Sequence, residues 1–376
     1  MISIKDAPEL RGHTVLVRAA LNVPVKDGTI TNPFRLNQAL PTITHLINHG
    51  AKVVLLSHIN GEGMPSMRPV YEHLRTILPL TFVEDVAGDT ALAAARALKN
   101  GTALLLENVR RDRREEGNDD EFARRLALLA DIYVNDDFPV AHRAHASVVG
   151  VPKYLPSYAG LQFMAEYDNL SRALTPASPS IAIVGGAKFV TKEPLIRALL
   201  PLYDHVFIAG ALANDFFKAE GLEVGRSLVS HEPHVADLLK NSKIMLPVDV
   251  EVDGPHGRET KDADDVLPTE AIYDCGPRTL THVGPYIQKA ATILWNGPTG
   301  NFEKGFTRGT DDLARLVAAA NGTSIVGGGD TIAAIEHLGL SSDFTFMSTA
   351  GGAMLDFLAH GTLPGIEALK NSKKLG

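Results

Sequence analysis

Four glycine-rich turns in the second half of the sequence have the composition of a phosphate-binding site. They are the segments GGAK, NGP, GGGDT and AGG, and each follows a short apolar run. Backbone N–H groups in such turns, and at the helix starts that follow them, attract an anion. One such turn indicates only a tight connection, because glycine is the usual residue there. Four of them together favour a site for a polyphosphate chain.

Charged residues beside these turns fit the same chemistry. Lys188 and Lys192 are four residues apart after the first turn, so a helix beginning there would carry both ammonium groups on one side. Asp330 and Thr331 belong to the third turn, where a carboxylate can hold Mg²⁺ bound to nucleotide phosphates. Taken alone, Asp330 also suits a helix N-cap. The patterns G-x-x-x-x-G-K-[ST] and G-x-G-x-x-G do not occur, so a different nucleotide fold is expected.

The first half carries a second polar group, most of it just after apolar runs. Its members are Arg18, Asn22, Arg35, His58, Arg110 and Arg143. Arginine binds carboxylates and phosphates through paired hydrogen bonds, so several together would form a positive pocket for a small anion. His142 and His145 have no partners at zinc-ligand spacing, and the G-x-S-x-G elbow of hydrolases does not occur. We therefore favour an anionic substrate over a metal site or a hydrolase.

Short apolar runs followed by helical patterns must position these groups. Such runs lie at 14–18, 52–57, 103–107, 132–135, 181–184, 206–208, 292–295, 324–326 and 344–347. The alternation predicts two parallel sheets flanked by helices, with the glycine turns converging at one sheet edge. A helical pattern at 162–174 and the turn-rich TPASPS after it predict a connecting helix and a hinge.

Composition argues against several classes of protein. The 376 residues exceed what one hydrophobic core usually serves, so two domains are expected. The net charge of −8 without a basic block argues against nucleic-acid binding, and interrupted apolar runs argue against a membrane span. The single cysteine, Cys275, and a start without a signal-peptide pattern predict a cytoplasmic protein.

The motifs, taken in order, resemble those of phosphoglycerate kinases over nearly the whole chain. They include VRAALNVPV, AKVVLLSH, YVNDDFPVAHRAHAS, LWNGPTGNFE, TSIVGGGDT and STAGGA. The resemblance implies an α/β fold of two Rossmann-like three-layer domains with parallel sheets, joined by a hinge helix. It also implies a kinase of glycolysis or gluconeogenesis that transfers a phosphoryl group between ATP and the carboxylate of 3-phosphoglycerate. Mg²⁺ with ATP or ADP, hinge closure and a monomeric state come with that implication.

The resemblance and the hinge pattern together predict four segments. Residues 1–161 would form the acid-substrate domain, and residues 162–180 the connecting helix and hinge. Residues 181–349 would form the Mg-nucleotide domain. Residues 350–376 would return toward the first domain.

The resemblance also implies roles for individual residues. The nucleotide-binding residues would be Gly185, Lys192, Gly210, Leu212, Asn296, Pro298, Glu303, Gly328, Asp330 and Thr331, with Glu303 at the ribose and Asp330 ligating Mg²⁺ mainly through nucleotide phosphates. The catalytic residues, which stabilise the transferring group or orient its acceptor, would be Arg35, Lys188, Gly328, Gly351 and Gly352. The substrate-binding residues would be Asn22, Arg35, His58, Arg110 and Arg143.

Two departures from the family pattern fall in the predicted acid site. The family motif V-D-F-N appears as AALN, so Ala20 replaces its aspartate. The motif S-H-L-G-R-P appears as SHINGE, so its arginine is missing at Gly61 or Glu62. A lost charge-assisted hydrogen bond costs about 1.5 to 3 kcal/mol. The run from Arg111 to Arg114 would compensate if it turned inward, although a solvated charged face is favoured.

Three hypotheses therefore stay open at the level of sequence. The first is a phosphoglycerate kinase with a weakened acid site. The second is a related kinase that forms an acyl phosphate on a different small carboxylic acid. The third is a nucleotide-binding protein without turnover, which the presence of Lys188, Lys192 and Asp330 disfavours.

Overall fold

Strands and helices alternate along nearly the whole chain in the computed structural model, which describes residues 1–61, 63, 65–231 and 235–373. Glu62, one of the two positions of the missing arginine, lies outside the described residues. The chain divides into two compact units, Met1–Asp168 with Thr362–Gly376 and Asn169–Gly361. None of the described helices is long and apolar enough to span a membrane.

The strands of both units are short, as buried strands of parallel sheets usually are. In chain order they are β1 (Thr14–Ala19), β2 (Val25–Lys26), β3 (Thr29–Ile30), β4 (Lys52–Leu56), β5 (Leu80–Phe82), β6 (Ala103–Leu105), β7 (Ile132–Asp136), β8 (Ser157–Ala159), β9 (Ser180–Val184), β10 (His205–Ile208), β11 (Ile244–Met245), β12 (Asp249–Gly254), β13 (Gly257–Asp262), β14 (Ala271–Cys275), β15 (Thr292–Asn296), β16 (Thr323–Gly327) and β17 (Phe346–Ser348).

The α-helices mostly connect these strands. In chain order they are α1 (Phe34–Asn48), α2 (Arg68–Leu74), α3 (Asp89–Arg96), α4 (Asp120–Ala127), α5 (Leu161–Ala173), α6 (Phe189–Leu199), α7 (Ala211–Ala219), α8 (Pro277–Lys289), α9 (Arg308–Ala318), α10 (Gly329–His337), α11 (Gly352–His360) and α12 (Pro364–Asn371).

The first unit is built on a parallel sheet with the strand order β5-β6-β4-β1-β7-β8. The central strand β1 pairs with β4 on one side and with β7 on the other. Every residue of β1 after Thr14 is buried, which explains why its sequence is a continuous apolar run interrupted only by Arg18. The carboxyl end of β1 thus lies between the ends of β4 and β7.

The second unit has a parallel sheet with the strand order β11-β10-β9-β15-β16-β17. The predicted glycine turns follow β9, β15, β16 and β17, which are neighbours in this sheet. Trp295 in β15 is completely buried and belongs to the core of this unit. The prediction of two Rossmann-like α/β domains with parallel sheets is confirmed.

An antiparallel sheet in the second unit was not predicted from the sequence. Its strand order is β13-β12-β14, and β12 pairs with both neighbours. The inner faces of β12 and β14 contribute Val250, Val252 and Ile272 to a small hydrophobic cluster. This sheet packs against helix α7, because Ala213 and Phe217 of α7 belong to the same cluster.

Helix α5 contains the point where the chain leaves the first unit, between Asp168 and Asn169. The chain returns to the first unit at Thr362, and helix α12 then packs on β8 and on the π-helical turn Ala146–Gly150. The amide of Gly365 donates to the carbonyl of Ala141 at 2.8 Å. The first unit is therefore discontinuous in sequence. A hinge function of α5 stays a prediction.

Candidate functional site

The first two glycine turns, after β9 and β15, pack against each other and against the turn at Gly210 after β10. The amide of Gly185 donates to the carbonyl of Asn296 at 2.8 Å, and that of Gly186 to the carbonyl of Pro298 at 3.0 Å. A Cβ atom at Gly185 would lie 2.3 Å from the Pro298 oxygen, and one at Gly210 would lie 2.8 Å from the Gly186 nitrogen. Such approaches exclude any side chain, so glycine is required there.

Leu212 joins this cluster through its backbone amide, and Glu303 lies in the 3₁₀-helix that follows the second glycine turn. The amide of Leu212 donates to the carbonyl of Gly186 at 3.2 Å, and its side chain is buried. Glu303 is exposed in the 3₁₀-helix Phe302–Lys304. Among the described residues it has no hydrogen bond to the glycine turns, so its place at a ribose stays a prediction.

The third glycine turn leads into helix α10. Gly328 is the N-cap residue with a φ of +103°, and Asp330 lies exposed in the first turn. The N-cap interpretation of Asp330 is wrong, because Gly328 occupies that position. Thr331 is completely buried, and its hydroxyl has no hydrogen-bond partner among the described residues. An exposed carboxylate and an unpartnered hydroxyl at a helix start fit a hydrated Mg²⁺ carried by phosphates.

The two lysines after the first glycine turn have different surroundings. Lys188 is exposed at the N-cap of α6. Lys192 is partly buried, and its ammonium donates a hydrogen bond to Oδ1 of Asn296. Burial lowers the pKa of Lys192 to about 8. The structure thus brings Lys192 and Asn296 together and leaves Lys188 accessible at the helix start.

The last glycine turn adjoins the same strand ends. Gly351 is the N-cap residue of α11 with a φ of +57°, and Gly352 is the first helical residue. Sδ of Met354, in the first turn of α11, lies 3.5 Å from Nδ2 of Asn296. A Cβ at Gly327 would meet the same sulfur. The starts of α6, α10 and α11 therefore surround the ends of β15 and β16.

In the first unit, His58 follows the carboxyl end of β4 and interacts with a group of arginines. Its side chain is 3% exposed. The cations that act on it are Arg18, Arg110, Arg143 and Arg35. Burial, and then these cations, hold the pKa of His58 well below its ordinary value, so the imidazole is neutral. Arg35, Arg110 and Arg143, the predicted substrate-binding arginines, therefore all act on His58, and Arg18 contacts its ring directly.

Asn22 and Arg110 are connected through Asn60. The amide of Asn60 donates to Oδ1 of Asn22 at 3.0 Å, and Nη1 of Arg110 donates to Oδ1 of Asn60 at 2.6 Å. Nη1 of Arg35 donates to the carbonyl of Asn22 at 3.0 Å. Nη2 of Arg110 is buried without a hydrogen-bond partner among the described residues. A buried, unsatisfied guanidinium donor is what an anionic ligand would complete.

Two buried carboxylates were missed by the sequence analysis. Asp137 accepts from Arg18 at 2.6 Å, and Glu115 accepts from the hydroxyl of Ser147 at 2.5 Å. Asp137 follows the apolar run of β7 directly, which could have marked it. Glu115 lies in a run of alternating charges that reads as a solvated face, so no signal in the sequence marked it.

Arg111 and Arg114, two of the arginines that would compensate for the missing family arginine, pair with acidic neighbours. Nη1 of Arg111 lies 2.9 Å from Glu107, and Nη2 of Arg114 lies 2.6 Å from Asp112. Arg114 also stacks over the ring of Phe122. The pair of Arg114 and Asp112 fits the charged-face interpretation. That interpretation is wrong for Glu115, which is buried, and Arg111 pairs with the buried Glu107.

Comparison with known proteins decides the family. The family model "Phosphoglycerate kinase" matches residues 4–361. Phosphoglycerate kinases of Moorella thermoacetica and Maricaulis maris are each 43% identical to the chain, over 98% and 99% of it and 98% of each relative. The chain belongs to the phosphoglycerate kinase family. Solved phosphoglycerate kinases of Coxiella burnetii and Pyrococcus horikoshii match with TM-scores of 0.86 and 0.87, at 38% and 32% identity, covering 98% of every chain compared.

Membership of the phosphoglycerate kinase family sets the class of enzyme. It is a phosphotransferase that acts on a carboxyl group and uses a nucleotide. The predicted family, fold and enzyme class are confirmed. In this family member the glycine turns lie together in the second unit, and the arginines that act on His58 lie in the first unit.

Proposed function

We propose that this chain transfers a phosphoryl group between Mg-ATP and the carboxylate of 3-phosphoglycerate. The observation that carries the proposal is the set of four arginines that act electrostatically on His58, of which Arg18 lies 3.0 Å from Nδ1 of the ring. A molecule with a carboxylate and a phosphate presents two anionic groups, and guanidinium groups bind both kinds. Family membership supplies the nucleotide as the other substrate.

On the acid side, Arg35 orients the acceptor carboxylate. Asn22, His58, Arg110 and Arg143 bind the rest of the molecule. Support comes from the buried Nη2 of Arg110, which has no partner among the described residues and would donate to an anion. A hydrogen bond from Nη2 of Arg110 to such an anion would offset the cost of burying this donor, which is about 1 to 3 kcal/mol.

On the nucleotide side, the residues that we propose surround the ends of neighbouring strands. They are Gly185, Lys192, Gly210, Leu212, Asn296, Pro298, Glu303, Gly328, Asp330 and Thr331. The glycine turns expose backbone amides to the phosphates, and Lys192 adds a cation beside Asn296. Asp330 is the proposed Mg²⁺ ligand, because it is exposed beside the unpartnered hydroxyl of Thr331.

The chemistry requires alignment of two anions more than proton transfer. A carboxylate is nucleophilic as it stands, so no general base is needed. Lys188, exposed at the start of α6, and the amides around Gly328, Gly351 and Gly352 stabilise charge on the transferring group. Bound Mg²⁺ supplies further neutralisation of the nucleotide phosphates.

We also propose the predicted division of labour between the segments. Residues 1–161 form the acid-substrate domain, residues 181–349 the Mg-nucleotide domain, and helix α5 within 162–180 the hinge. The compact units support this division, although the returning segment begins at Thr362 in the structure. A monomer in the cytoplasm is the proposed state, and its single cysteine, Cys275, is buried and free.

A coupled assay of ATP consumption with 3-phosphoglycerate and a panel of small carboxylates tests the proposal. We expect turnover with 3-phosphoglycerate. Arg35→Met should lower kcat/KM by about 10²-fold or more, as loss of one preorganised donor does. Arg96→Met, at an exposed position near the end of α3, is the matched control and should leave kcat/KM unchanged. Mg-ATP binding without turnover on any acid would reject the proposal and favour a binding protein.

A second candidate is transfer to a different small carboxylic acid. The buried Ala20 and the exposed Gly61 favour it, because both stand where the family pattern has a charged substrate contact. Arg111 and Arg114 pair with acidic neighbours and do not restore that charge. A member of the panel with kcat/KM well above that of 3-phosphoglycerate would select this candidate.

A further inference from the structure

Arg18 links buried acidic groups to the imidazole of His58. Its Nη1 donates to Oδ2 of Asp137 at 2.6 Å, and its Nε donates to Oγ of Ser147 at 3.0 Å. Ser147 in turn donates from Oγ to Oε1 of Glu115 at 2.5 Å. Arg18, Ser147 and Glu115 are completely buried. The guanidinium is therefore fixed from two sides by partners that solvent does not reach.

The remaining guanidinium nitrogen decides which nitrogen of His58 carries the proton. Nη2 of Arg18 lies 3.0 Å from Nδ1 of His58. Because a guanidinium has only donors and stays protonated, Nδ1 must be the acceptor. A neutral imidazole whose Nδ1 accepts a hydrogen bond has its proton on Nε2.

Asp137 is close to the same ring nitrogen without being bonded to it. Its Oδ2 lies 3.9 Å from Nδ1 of His58, whereas it lies 2.6 Å from Nη1 of Arg18. A separation of 3.9 Å is too long for a hydrogen bond. The Asp137 carboxylate therefore accepts a hydrogen bond from Arg18 and does not stabilise a proton on Nδ1 of His58.

We propose that Arg18 and Asp137 are positioning residues that hold His58 as a neutral hydrogen-bond donor, with its proton on Nε2, in the acid-substrate site. The arginines supply the positive charge of the site, and His58 adds one hydrogen bond of fixed direction. Its Nε2–H group requires an acceptor oxygen on the ligand, such as that of a carboxylate or phosphate group. The identity of that ligand rests on the proposed function, whereas the protonation state does not.

The charged groups that face His58 come from several elements. They are Arg18 in β1, Arg35 in α1, Arg110 after β6, Asp137 after β7 and Arg143 in the loop that follows. Burial and the cations disfavour an imidazolium. A carboxylate 3.9 Å away, as that of Asp137 is, favours one. His58 therefore stays a neutral donor through the pH range in which an ordinary histidine titrates.

Nitrogen NMR of the ¹⁵N-labelled full chain tests the protonation state without any variant of the network. The His58 signals are assigned by their loss in His58→Gln. At neutral pH we expect Nδ1 to resonate as an unprotonated ring nitrogen and Nε2 as a protonated one. A protonated Nδ1, in either the neutral or the charged ring, would overturn the inference.

Variants of the network separate positioning from general stability. In Arg18→Leu, Asp137 becomes the partner of Nδ1, so we expect the proton to move to Nδ1 and the pKa of His58 to rise. In Asp137→Asn, which keeps an acceptor for Arg18, we expect the His58 titration to shift to lower pH. Asp136→Asn is the matched control, because its buried carboxylate accepts from Gln162 and Phe163 instead. An Asp137→Asn titration that coincides with that of the control contradicts the inference.

The same labelled chain distinguishes this inference from the proposed function. On addition of 3-phosphoglycerate we expect the Nε2 signal to shift while Nδ1 stays unprotonated. Turnover of 3-phosphoglycerate together with a protonated Nδ1 rejects the inference alone. The expected protonation state without turnover on 3-phosphoglycerate rejects the proposed function alone.

Discussion

The ammonium of Lys192, in the first turns of α6, donates a hydrogen bond to the side-chain oxygen of Asn296 at the end of β15. Asn296 is buried, and its Nδ2 lies 3.5 Å from Sδ of Met354. Burial lowers the pKa of Lys192 to about 8, so a large fraction of this lysine is uncharged in mildly alkaline solution. The cation proposed for the nucleotide phosphates is thus held by the neutral amide of Asn296 in this structure.

Nucleotide binding should therefore take up a proton at Lys192. An anionic phosphate near the ammonium favours its charged form and raises its pKa, so protonation rises from about half at pH 8 to nearly complete. Calorimetry of Mg-ADP binding in buffers of different ionisation enthalpy measures this uptake. We expect it to be largest near pH 8 to 9 and to vanish toward pH 6.

Lys192→Arg is the matched control for that measurement. Arginine keeps the positive charge but stays protonated throughout this pH range, so its proton uptake should be close to zero. Equal uptake in the variant and the parent chain would show that another group is responsible.

Gly185→Ala should destabilise the second unit and weaken nucleotide binding. Its Cβ would lie 2.3 Å from the carbonyl oxygen of Pro298, so two backbone segments must move apart. Overpacking of this kind costs about 1 to 3 kcal/mol. Urea unfolding gives the free energy, and titration with Mg-ADP gives the affinity.

Gly284→Ala provides the comparison in the same unit. Gly284 lies inside helix α8, and a Cβ there meets no atom within 4 Å beyond its chain neighbours and its own helix backbone. Alanine in a helix is more favourable than glycine by up to about 1 kcal/mol, but Pro285 follows and disfavours a Cβ here, so stability should change by less than that amount. If both variants lose stability to the same extent, the close approach at Gly185 does not explain its effect.

Gly61→Arg should lower the KM for 3-phosphoglycerate. Gly61 is exposed, a Cβ there makes only ordinary contacts with Pro65, and the preceding Asn60 contacts Asn22 and Arg110. A charge-assisted hydrogen bond contributes about 1.5 to 3 kcal/mol, so kcat/KM should rise by roughly tenfold or more. The coupled kinase assay measures it.

Gly61→Gln and Gly63→Arg serve as controls for the arginine. Glutamine supplies length without charge, so it should give little of the gain. Gly63 has a φ of +71°, a conformation that side chains rarely adopt, so arginine there adds charge at the cost of strain. An equal fall in KM with all three would indicate a general charge or loop effect.

His145 should make folding less favourable as the solution becomes acidic. Burial, followed by the charges of Arg110 and Arg143, lowers its pKa to about 4 from an ordinary 6.5. Between these values the unfolded chain binds more protons at His145 than the folded chain does, so its contribution to stability falls as the pH drops. Urea unfolding of the parent chain and of His145→Gln between pH 7 and 5 measures the difference. Parallel curves would contradict this expectation.

Buried strands could be read from the sequence because a parallel sheet covered on both faces needs continuous apolar runs. The predicted run 14–18 corresponds to strand β1 (Thr14–Ala19), and the predicted run 292–295 corresponds to strand β15 (Thr292–Asn296). The glycine turns were readable for a related reason. Close backbone approach at Gly185 and positive φ at Gly210 leave glycine as the favoured residue.

Other features depend on partners that are distant in sequence. Strand β13, with the sequence GRETKD, is mostly exposed and has no apolar alternation, so nothing marked it as a strand. The pair of Arg18 and Asp137 forms because β1 lies beside β7 in the sheet. The local sequence of either segment does not show that the two strands are neighbours. Burial of Glu115 follows from its contact with Ser147, which is equally invisible locally.

The discontinuity of the first unit has a consequence for synthesis on the ribosome. Helix α12 packs on β8 and donates from Gly365 to Ala141, yet it is translated after all of Asn169–Gly361. The second unit can complete its fold from one continuous stretch while the nascent first unit still lacks its last helix. The contacts of α12 with β8 and Ala141 are thus the last that the first unit can form, even though the rest of that unit leaves the exit tunnel first.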